Sequence, residues 1–266
     1  MTPVEVTRGT GPVVLGMPHT GTHVPTEIAR RLNATGRALA DADWHIDRLY
    51  DGLLAQATVV RATFHRYVID ANRDPTGASL YPGQNTTTLV PLTDFDGTEI
   101  WEAAPTEAEI AERRETFHAA YHRALAAELA RVRQAHGVAI LYDCHSIRSR
   151  VPFLFDSTLP DFNIGTDEGR TCAPRIEAAV TDLCRRAEGY TTVVNGRFKG
   201  GWTTRHYGRP AEGIHAVQME LAQSTYLASE APPWRCDVDK ADRLRGHLSQ
   251  ILAALVDCAS ALRGSP

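Results

Sequence analysis

Polar side chains that could bind a metal ion cluster at predicted strand ends, in four places far apart in sequence: His19, Asp47, His145 and Glu220. Two imidazoles and one carboxylate can bind a divalent ion and leave one coordination position open, as catalytic zinc requires. Glu220 lies in a mainly apolar segment, where a carboxylate needs a partner or a chemical task. Taken singly, each residue could instead be solvated or bonded to the backbone. Together they predict a catalytic metal site.

The identity of the carboxylate ligand is open between Asp43 and Asp47. The sequence from Asp41 onward is typical of a helix start, and on a helix two residues that are four apart share a face. His45 and Asp47 would point about 200° apart, so both could not bind one ion. We expect Asp47 to be the ligand and keep Asp43 as the alternative.

The segment 138–149 carries one of the histidines and has the pattern of a central strand. Its apolar first half predicts a strand buried on both faces of a sheet, and the carboxyl ends of such strands face the ligand crevice. The strand period of two places Asp143 and His145 on one side and Cys144 on the other. A Ser-His-Asp triad using Ser146 and Asp143 remains a minor alternative. The chain has no nucleophile elbow, Walker loop or dinucleotide-binding motif.

A second group of residues is cationic and lies in or beside the same predicted loops. Its members are Arg73, Arg148, Arg150, Arg197, Lys199, Arg205 and Arg209. Arginine binds carboxylates through a planar fork, and flanking glycines such as Gly196, Gly200 and Gly201 let the backbone approach a ligand. The group predicts a small substrate with one or more carboxylates, although scattered solvated arginines would give the same pattern.

The 266-residue chain has an ordinary globular composition, with 43% hydrophobic and 23% charged residues and a formal net charge of -4. This charge balance does not indicate nucleic-acid binding, and no apolar run approaches the ~20 residues of a transmembrane helix. Five scattered cysteines, without a Cys-x-x-Cys pair, and no visible secretory signal favour a reduced, cytoplasmic protein. The sequence does not fix the oligomeric state and is compatible with a monomer.

Predicted strands alternate with helices, which indicates an α/β fold with a mainly parallel sheet in one domain, residues 1–266. Strands are expected at 12–17, 58–63, 67–70, 138–142, 152–155, 190–194 and 215–221. A capping box at Thr106 and Glu109 begins a long helix that Gly137 ends, and a last helix covers 239–262. Residues 71–104 predict a long ordered loop, which is usually functional.

Several long motifs resemble one known family, the N-formylglutamate amidohydrolases (deformylases). These motifs are PHTGTHVP at 18–25, DWHIDRLYD at 43–51, YVIDANR at 67–73, SLYPGQ at 79–84, DCHSIRS at 143–149, NGRFKGG at 195–201 and QMELAQ at 218–223. The resemblance covers about residues 10–255. It implies a three-layer α/β/α fold related to zinc carboxypeptidases and aspartoacylases. It also implies hydrolysis of N-formyl-L-glutamate to formate and L-glutamate, the last step of one route of histidine degradation.

The resemblance also implies roles for individual residues. A divalent ion, with zinc favoured, would be held by His19, Asp47 and His145. Glu220 matches the general base, Asp143 would orient a ligand, and Arg73 would share the oxyanion charge or hold a carboxylate. The other expected substrate contacts are Asn72, Arg148, Arg197, Lys199 and Arg205. Residues 70–73 resemble the Asp-x-Asn-Arg of aspartoacylases, here with alanine as the second residue.

Two alternatives remain beside this hypothesis. One is an amidohydrolase acting on another N-acyl acidic amino acid. The other is a non-catalytic protein that uses the same basic pocket to bind a dicarboxylate. Glu220 distinguishes the second alternative from a hydrolase, because a buried carboxylate beside an anion site opposes anion binding, whereas hydrolysis needs a base.

Overall fold

Seven strands form one mixed sheet in the computed structural model, which describes residues 2–79 and 83–263. The strands are β1 (Val4–Thr7), β2 (Val13–Met17), β3 (Thr58–Ala62), β4 (Ala139–Ile147), β5 (Phe162–Gly165), β6 (Thr192–Val194) and β7 (Ile214–Ala222). Their order is β1-β3-β2-β4-β7-β5-β6. The central strands β3, β2, β4 and β7 run parallel, while β1 and β5 pair antiparallel with β3 and β7. The sheet is therefore mainly parallel, as the sequence predicts.

Helices cover both faces of this sheet. They are α1 (Thr26–Ala29), α2 (Ala34–Arg37), α3 (Ile46–Tyr50), α4 (Glu107–Arg113), α5 (Ala119–His136), α6 (Pro174–Arg186), α7 (Trp202–Tyr207) and α8 (Val238–Arg263). One core lies between the sheet and α3, α6 and α8, and another lies between the opposite face and α5. The central strands are buried on both faces, which explains their apolar runs. No helix in the described ranges is long and apolar enough to cross a membrane.

The central strand β4 is longer than its apolar run. All nine of its residues are buried, and it pairs along its whole length with β7. Asp143 and His145 therefore lie inside the strand, near its carboxyl end, and Cys144 packs into the opposite core. Pleating separates them as the sequence predicts.

The helix expected from residue 106 begins with the predicted capping box. The Thr106 hydroxyl accepts from the Glu109 backbone N–H, and the Glu109 carboxylate accepts from that of Thr106. A π-helical turn, Arg114–His118, joins α4 to α5. Gly137 ends the helix with a φ of 72°, a conformation that glycine adopts without strain.

Three expected elements differ from the structure. The helix expected from Asp41 starts only at Ile46, because His45 takes a left-handed conformation with a φ of 61°. Residues 67–70 and 152–155 form turns instead of strands; in the first, the Val68 N–H donates to the His65 carbonyl. Residues 71–79 and 83–104 contain no helix and no strand, as expected of a loop. Positions 80–82 of the SLYPGQ motif lie outside the described residues.

Candidate active site

Two histidines meet where the neighbouring parallel strands β2 and β4 end. His19 follows β2 by two residues, and His145 lies two residues before the end of β4. Parallel strands present their carboxyl ends at the same edge of a sheet, so the two side chains converge. Their Nδ1 atoms are 3.2 Å apart, and both residues are buried.

Asp43 completes a set of three ligand atoms. Its Oδ2 lies 3.2 Å from Nδ1 of His145 and 3.7 Å from Nδ1 of His19. The corners of a tetrahedron with bonds of about 2 Å are about 3.3 Å apart, so the three atoms have the spacing of three zinc ligands. The set leaves a fourth position open. These residues therefore fit a divalent cation.

The structure does not bring Asp47 to the histidines. Its carboxylate is one-third exposed and pairs with Arg61 at 3.2 Å. The expectation rested on a helix running through 43–47, but the positive φ of His45 turns the chain and α3 starts after it. Asp43 instead lies in a turn, where its N–H donates to the His19 carbonyl. The carboxylate beside the two imidazoles is thus Asp43, the alternative that the sequence left open.

A buried carboxylate stands behind each imidazole. Nε2 of His19 lies 2.7 Å from Asp70 Oδ1, and Nε2 of His145 lies 3.1 Å from Asp143 Oδ1. A carboxylate only accepts, so Nε2 of His19 carries the hydrogen and its Nδ1 keeps a lone pair toward the other ligand atoms. The Asp143 carboxylate at 3.1 Å favours the same tautomer in His145. Carboxylates commonly orient metal-binding histidines in this way.

The local charges favour a cation at this point. Burial alone would lower the pKa of His145, but Asp143 and Asp43 hold it well above its ordinary value. Burial would likewise raise the pKa of Asp43, but hydrogen bonds with His145 and His19 keep it below its ordinary value. Asp43, Asp70 and Asp143 are buried close together, and burying several carboxylates without a neighbouring positive charge costs free energy of folding. A divalent ion would supply that charge.

Glu220 lies beside this cluster on β7, directly opposite His145 in the ladder. It is 7% exposed, and burial raises its pKa to about 8. Its Oε2 accepts a hydrogen bond from Gln218 Nε2 at 3.2 Å. A carboxyl group that titrates near neutral pH is suited to take up and release a proton.

The cluster opens into a cavity of about 140 Å³. The charged and amide side chains that line it are those of His19, Arg66, Asn72, Arg73, Asn85, His145, Arg197, Gln218 and Glu220. Three arginines therefore face one small cavity that also holds the general-base candidate. This lining fits a substrate with more than one negative charge.

Arg66 was not predicted from the sequence. It is buried, its Nη2 donates to Asp43 Oδ1 at 3.1 Å, and its Nε has no hydrogen-bond partner within the described part of the chain. It follows strand β3, which is parallel to β2 and ends at the same sheet edge. Its position after a strand that ends at this sheet edge is the feature from which the sequence could have predicted Arg66 in the site.

Three of the predicted substrate contacts line the cavity. Arg73 donates to the carbonyl and hydroxyl of Thr87 at 3.0 and 2.8 Å. Arg197 donates to the carbonyls of Leu154 and Asn85, both at 3.1 Å. The third is Asn72, whose Oδ1 accepts from the Thr203 N–H and whose Nδ2 lies 3.2 Å from His145 Nε2.

Three other predicted contacts lie outside the cavity lining. Arg148 pairs with Asp96 at 2.9 Å, Lys199 with Glu168 at 2.7 Å and Arg205 with Asp167 at 3.3 Å. Arg148 stands three positions after His145, and an odd spacing in extended chain points to the opposite side. Closeness in sequence to the site was therefore not sufficient to place these side chains in it.

Comparison with known proteins agrees with this geometry. A family model described as N-formylglutamate amidohydrolase matches residues 11–227. An N-formylglutamate deformylase of Pseudomonas aeruginosa is 45% identical in an alignment of 254 positions that covers 92% of this chain and 94% of that protein. A Pseudomonas putida protein of the same name is 44% identical over 252 residues, 94% of each chain.

Solved structures share the whole architecture. The N-formylglutamate amidohydrolase of Ralstonia eutropha JMP134 is 26% identical, covers 99% of both chains and has a TM-score of 0.79. A gene product of Agrobacterium tumefaciens, 20% identical with a TM-score of 0.74, shares the fold over 97% of this chain and 96% of its own. The family model and the two Pseudomonas relatives each cover most of the chain. This chain belongs to the N-formylglutamate amidohydrolase family.

Proposed function

We propose that this protein hydrolyses N-formyl-L-glutamate to formate and L-glutamate and that the reaction depends on a divalent metal ion. The main support is one juxtaposition: the ligand atoms of His19, Asp43 and His145 converge beside Glu220 in a cavity with three arginines. The names of the Pseudomonas relatives support the same substrate.

The metal ion would be held by the two imidazoles and the Asp43 carboxylate. A divalent ion bound there would lower the pKa of a coordinated water molecule and polarise the amide carbonyl. Asp70 and Asp143 keep the two imidazoles in the tautomer that leaves Nδ1 free to bind it. Two histidines and one carboxylate are a ligand set that catalytic zinc uses, and zinc is the ion of this proposal.

Glu220 is the general base of this proposal. It takes a proton from the attacking water and returns that proton to the leaving amine. The carboxyl group faces the cavity beside His145, and burial raises its pKa to about 8. The same carboxylate argues against a simple dicarboxylate-binding protein, because it would repel the anion and contribute nothing to its binding.

The three arginines divide between the reacting carbonyl and the substrate carboxylates. Arg66 bonds to Asp43 and is the arginine tied directly to the ligand cluster, so it is placed to stabilise the negative charge that develops on the amide oxygen. Arg73 and Arg197 are held by loop carbonyls and face the cavity, so they are the candidates for the two substrate carboxylates. Asn72 contributes an amide donor.

Some finer expectations from the sequence belong to the same proposal. They are a cytoplasmic location, one domain related to the zinc carboxypeptidases, and a place as the last step of a histidine degradation route. The five scattered cysteines support the first of these, and the motifs shared with the N-formylglutamate amidohydrolases support the other two.

The decisive experiment is formate release from N-formyl-L-glutamate, measured before and after chelator treatment and after adding back zinc. Formate release that is lost with the metal and restored by zinc supports the proposal. Release that is indifferent to a chelator that has removed all metal would overturn the metal-dependent mechanism. No release from N-formylglutamate, but release of another acid from a different N-acyl acidic amino acid, would reassign the substrate.

A further inference from the structure

Two histidines outside the cavity hold the backbone of the substrate-binding segment. Nε2 of His118 lies 2.9 Å from the carbonyl oxygen of Arg73, and Nε2 of His122 lies 2.8 Å from that of Ala71. A carbonyl oxygen only accepts, so each imidazole donates its Nε2–H to it. The two bonds fall on either side of Asn72.

The π-helical turn brings these donors into one row. Arg113 belongs to the same row, because its Nη1 donates to the Val68 carbonyl. In a regular α-helix, residues five apart such as Arg113 and His118 lie about 140° apart around the axis. The wider π-turn, with its i to i+5 bonding, moves them back toward a common face, and His122 follows one α-turn later. The π-helical turn therefore lets one side of the helix donate three hydrogen bonds to backbone carbonyls of residues 68–73.

Both imidazoles are buried in surroundings that favour the neutral form. Burial lowers the pKa of His122 to about 3, and burial also lowers the pKa of His118. The Nδ1 of His122 lies 3.1 Å from the Tyr207 hydroxyl, while Trp202 packs against both histidine rings. Neutral rings fixed by packing hold their N–H groups in one direction, as a positioning element requires.

The segment they hold contributes three groups to the site. Asp70 accepts from His19, Asn72 has its amide beside His145, and Arg73 lines the cavity. Asn72 stands between the two residues whose carbonyls accept from the histidines, and Arg73 is one of those two residues. On the far side, the Thr203 N–H donates to Asn72 Oδ1. A small displacement of this backbone would therefore move the Asn72 amide and the Arg73 guanidinium together.

We propose that His118 and His122 are positioning residues for substrate binding, acting through the backbone of residues 71–73. The inference rests on the proposed function, since it assigns to Asn72 and Arg73 the task of holding the substrate. Neither histidine touches the cavity. Their contribution is to keep two substrate-binding side chains at the correct depth, and misplacement by about 1 Å can reduce activity substantially.

The test replaces each histidine by leucine, which removes the donor, and by glutamine, whose side-chain N–H can replace Nε2–H. His136→Leu is the matched control, because His136 lies on the same helix and bonds a carbonyl in the same way, that of Thr10, remote from the cavity. Steady-state kinetics with N-formylglutamate, metal content and hydrogen exchange of a peptide covering 68–74 are measured for each variant.

We expect His118→Leu and His122→Leu each to raise KM about tenfold or more. Each variant loses one hydrogen bond to the backbone of 71–73, and the free energy of one such bond corresponds to roughly this change in affinity. The metal content should stay at the wild-type level, and exchange in 68–74 should become faster. The glutamine variants should recover most of the wild-type KM and most of the wild-type exchange rate in 68–74. His136→Leu should change neither KM nor this exchange rate. Rescue by glutamine separates a positioning role from a general packing role.

Wild-type KM and wild-type exchange in both leucine variants would overturn the inference, as would equal losses in the glutamine variants. If the wild-type protein released no formate from N-formylglutamate, the proposed function would fail by itself. The exchange data would then decide the positioning role: faster exchange in the leucine variants, reversed by glutamine, supports it, and unchanged exchange refutes it.

Discussion

His145 on β4 lies directly opposite Glu220 on β7 in a parallel ladder that spans nine residue pairs. The register places the metal-ligand candidate and the base candidate side by side on the two strands. Both strands are buried along most of their length, so the pair cannot shift without moving the core. The spacing between the candidate metal ligand His145 and the candidate base Glu220 is thus set by the centre of the sheet and not by a loop.

Replacing this carboxylate tests its role as the base. Glu220→Gln keeps the shape and the bond with Gln218 but cannot accept the proton of water. We expect turnover of N-formylglutamate to fall roughly 10²–10⁴-fold, with metal content unchanged. Glu212→Gln is a suitable control, because Glu212 is half-exposed and pairs only with Arg209 at 3.8 Å among the contacts described. Near-normal turnover in Glu220→Gln would move the base to another residue, with Asp143 the next candidate.

The same substitution should change the pH dependence of stability in the metal-free protein. The folded pKa of Glu220 is about 8, above its ordinary 4.5, because burial disfavours the charged form. Between these values the folded state binds more protons than the unfolded state, so this group's contribution to stability falls as pH rises. Glu220→Gln removes that loss.

The unfolding free energy of Glu220→Gln minus that of wild type should therefore grow between about pH 5 and about pH 8, by at most about 1.4 kcal/mol per pH unit. Urea unfolding of chelator-treated protein at several pH values gives this difference. Glu212→Gln should show a constant difference. A constant difference in Glu220→Gln as well would mean that the carboxyl is ionised in the folded protein throughout this range.

The carboxylate ligand is tested by a matched pair of variants. Asp43→Ala should lose the divalent ion, because Asp43 supplies the third ligand atom beside His19 and His145. Asp47→Ala should keep it, since Asp47 faces Arg61. Elemental analysis after dialysis measures metal per chain, and circular dichroism checks that both variants are folded. Full metal in Asp43→Ala, or its loss in Asp47→Ala alone, would contradict the assignment.

Residue patterns predicted much of this site, and local backbone geometry accounts for what they did not. His19, His145 and Glu220 could be found because strand ends and the strand period of two place polar groups reliably. Asp43 could not be separated from Asp47, because the choice depends on one left-handed residue, His45, and histidine carries no strong signal for that conformation.

The arginines show the same limit. Arg73 and Arg197 line the cavity as expected, whereas Arg148 turns to Asp96 and Arg66 replaces it among the lining residues. Which way a loop side chain points is set by its surroundings in three dimensions, and the spacing along the chain contains little of that information. The strands β1 and β5, of four residues each, were also missed.

Substrate choice gives the last prediction. N-formylglutamate and N-formylglutamine differ only at the end of the side chain, which is a carboxylate in the first and a neutral amide in the second. The ratio of their kcat/KM values therefore reports the partner of the side-chain carboxylate. Arg197 faces the cavity while its guanidinium donates to the Leu154 and Asn85 carbonyls. Removing one partner of a buried charge pair costs roughly 2–5 kcal/mol. We therefore expect Arg197→Ala to reduce the ratio at least tenfold.

Arg148→Ala is the matched control, because Arg148 pairs with Asp96 away from the cavity lining. It should leave the ratio at the wild-type value. An equal proportional loss for both substrates in Arg197→Ala would mean that Arg197 holds the shared α-carboxylate or acts only on the two loops that it joins. The next candidate partner of the side-chain carboxylate would then be Arg73, which lines the same cavity and donates two hydrogen bonds to Thr87. Repeating the two-substrate comparison with Arg73→Ala would identify it.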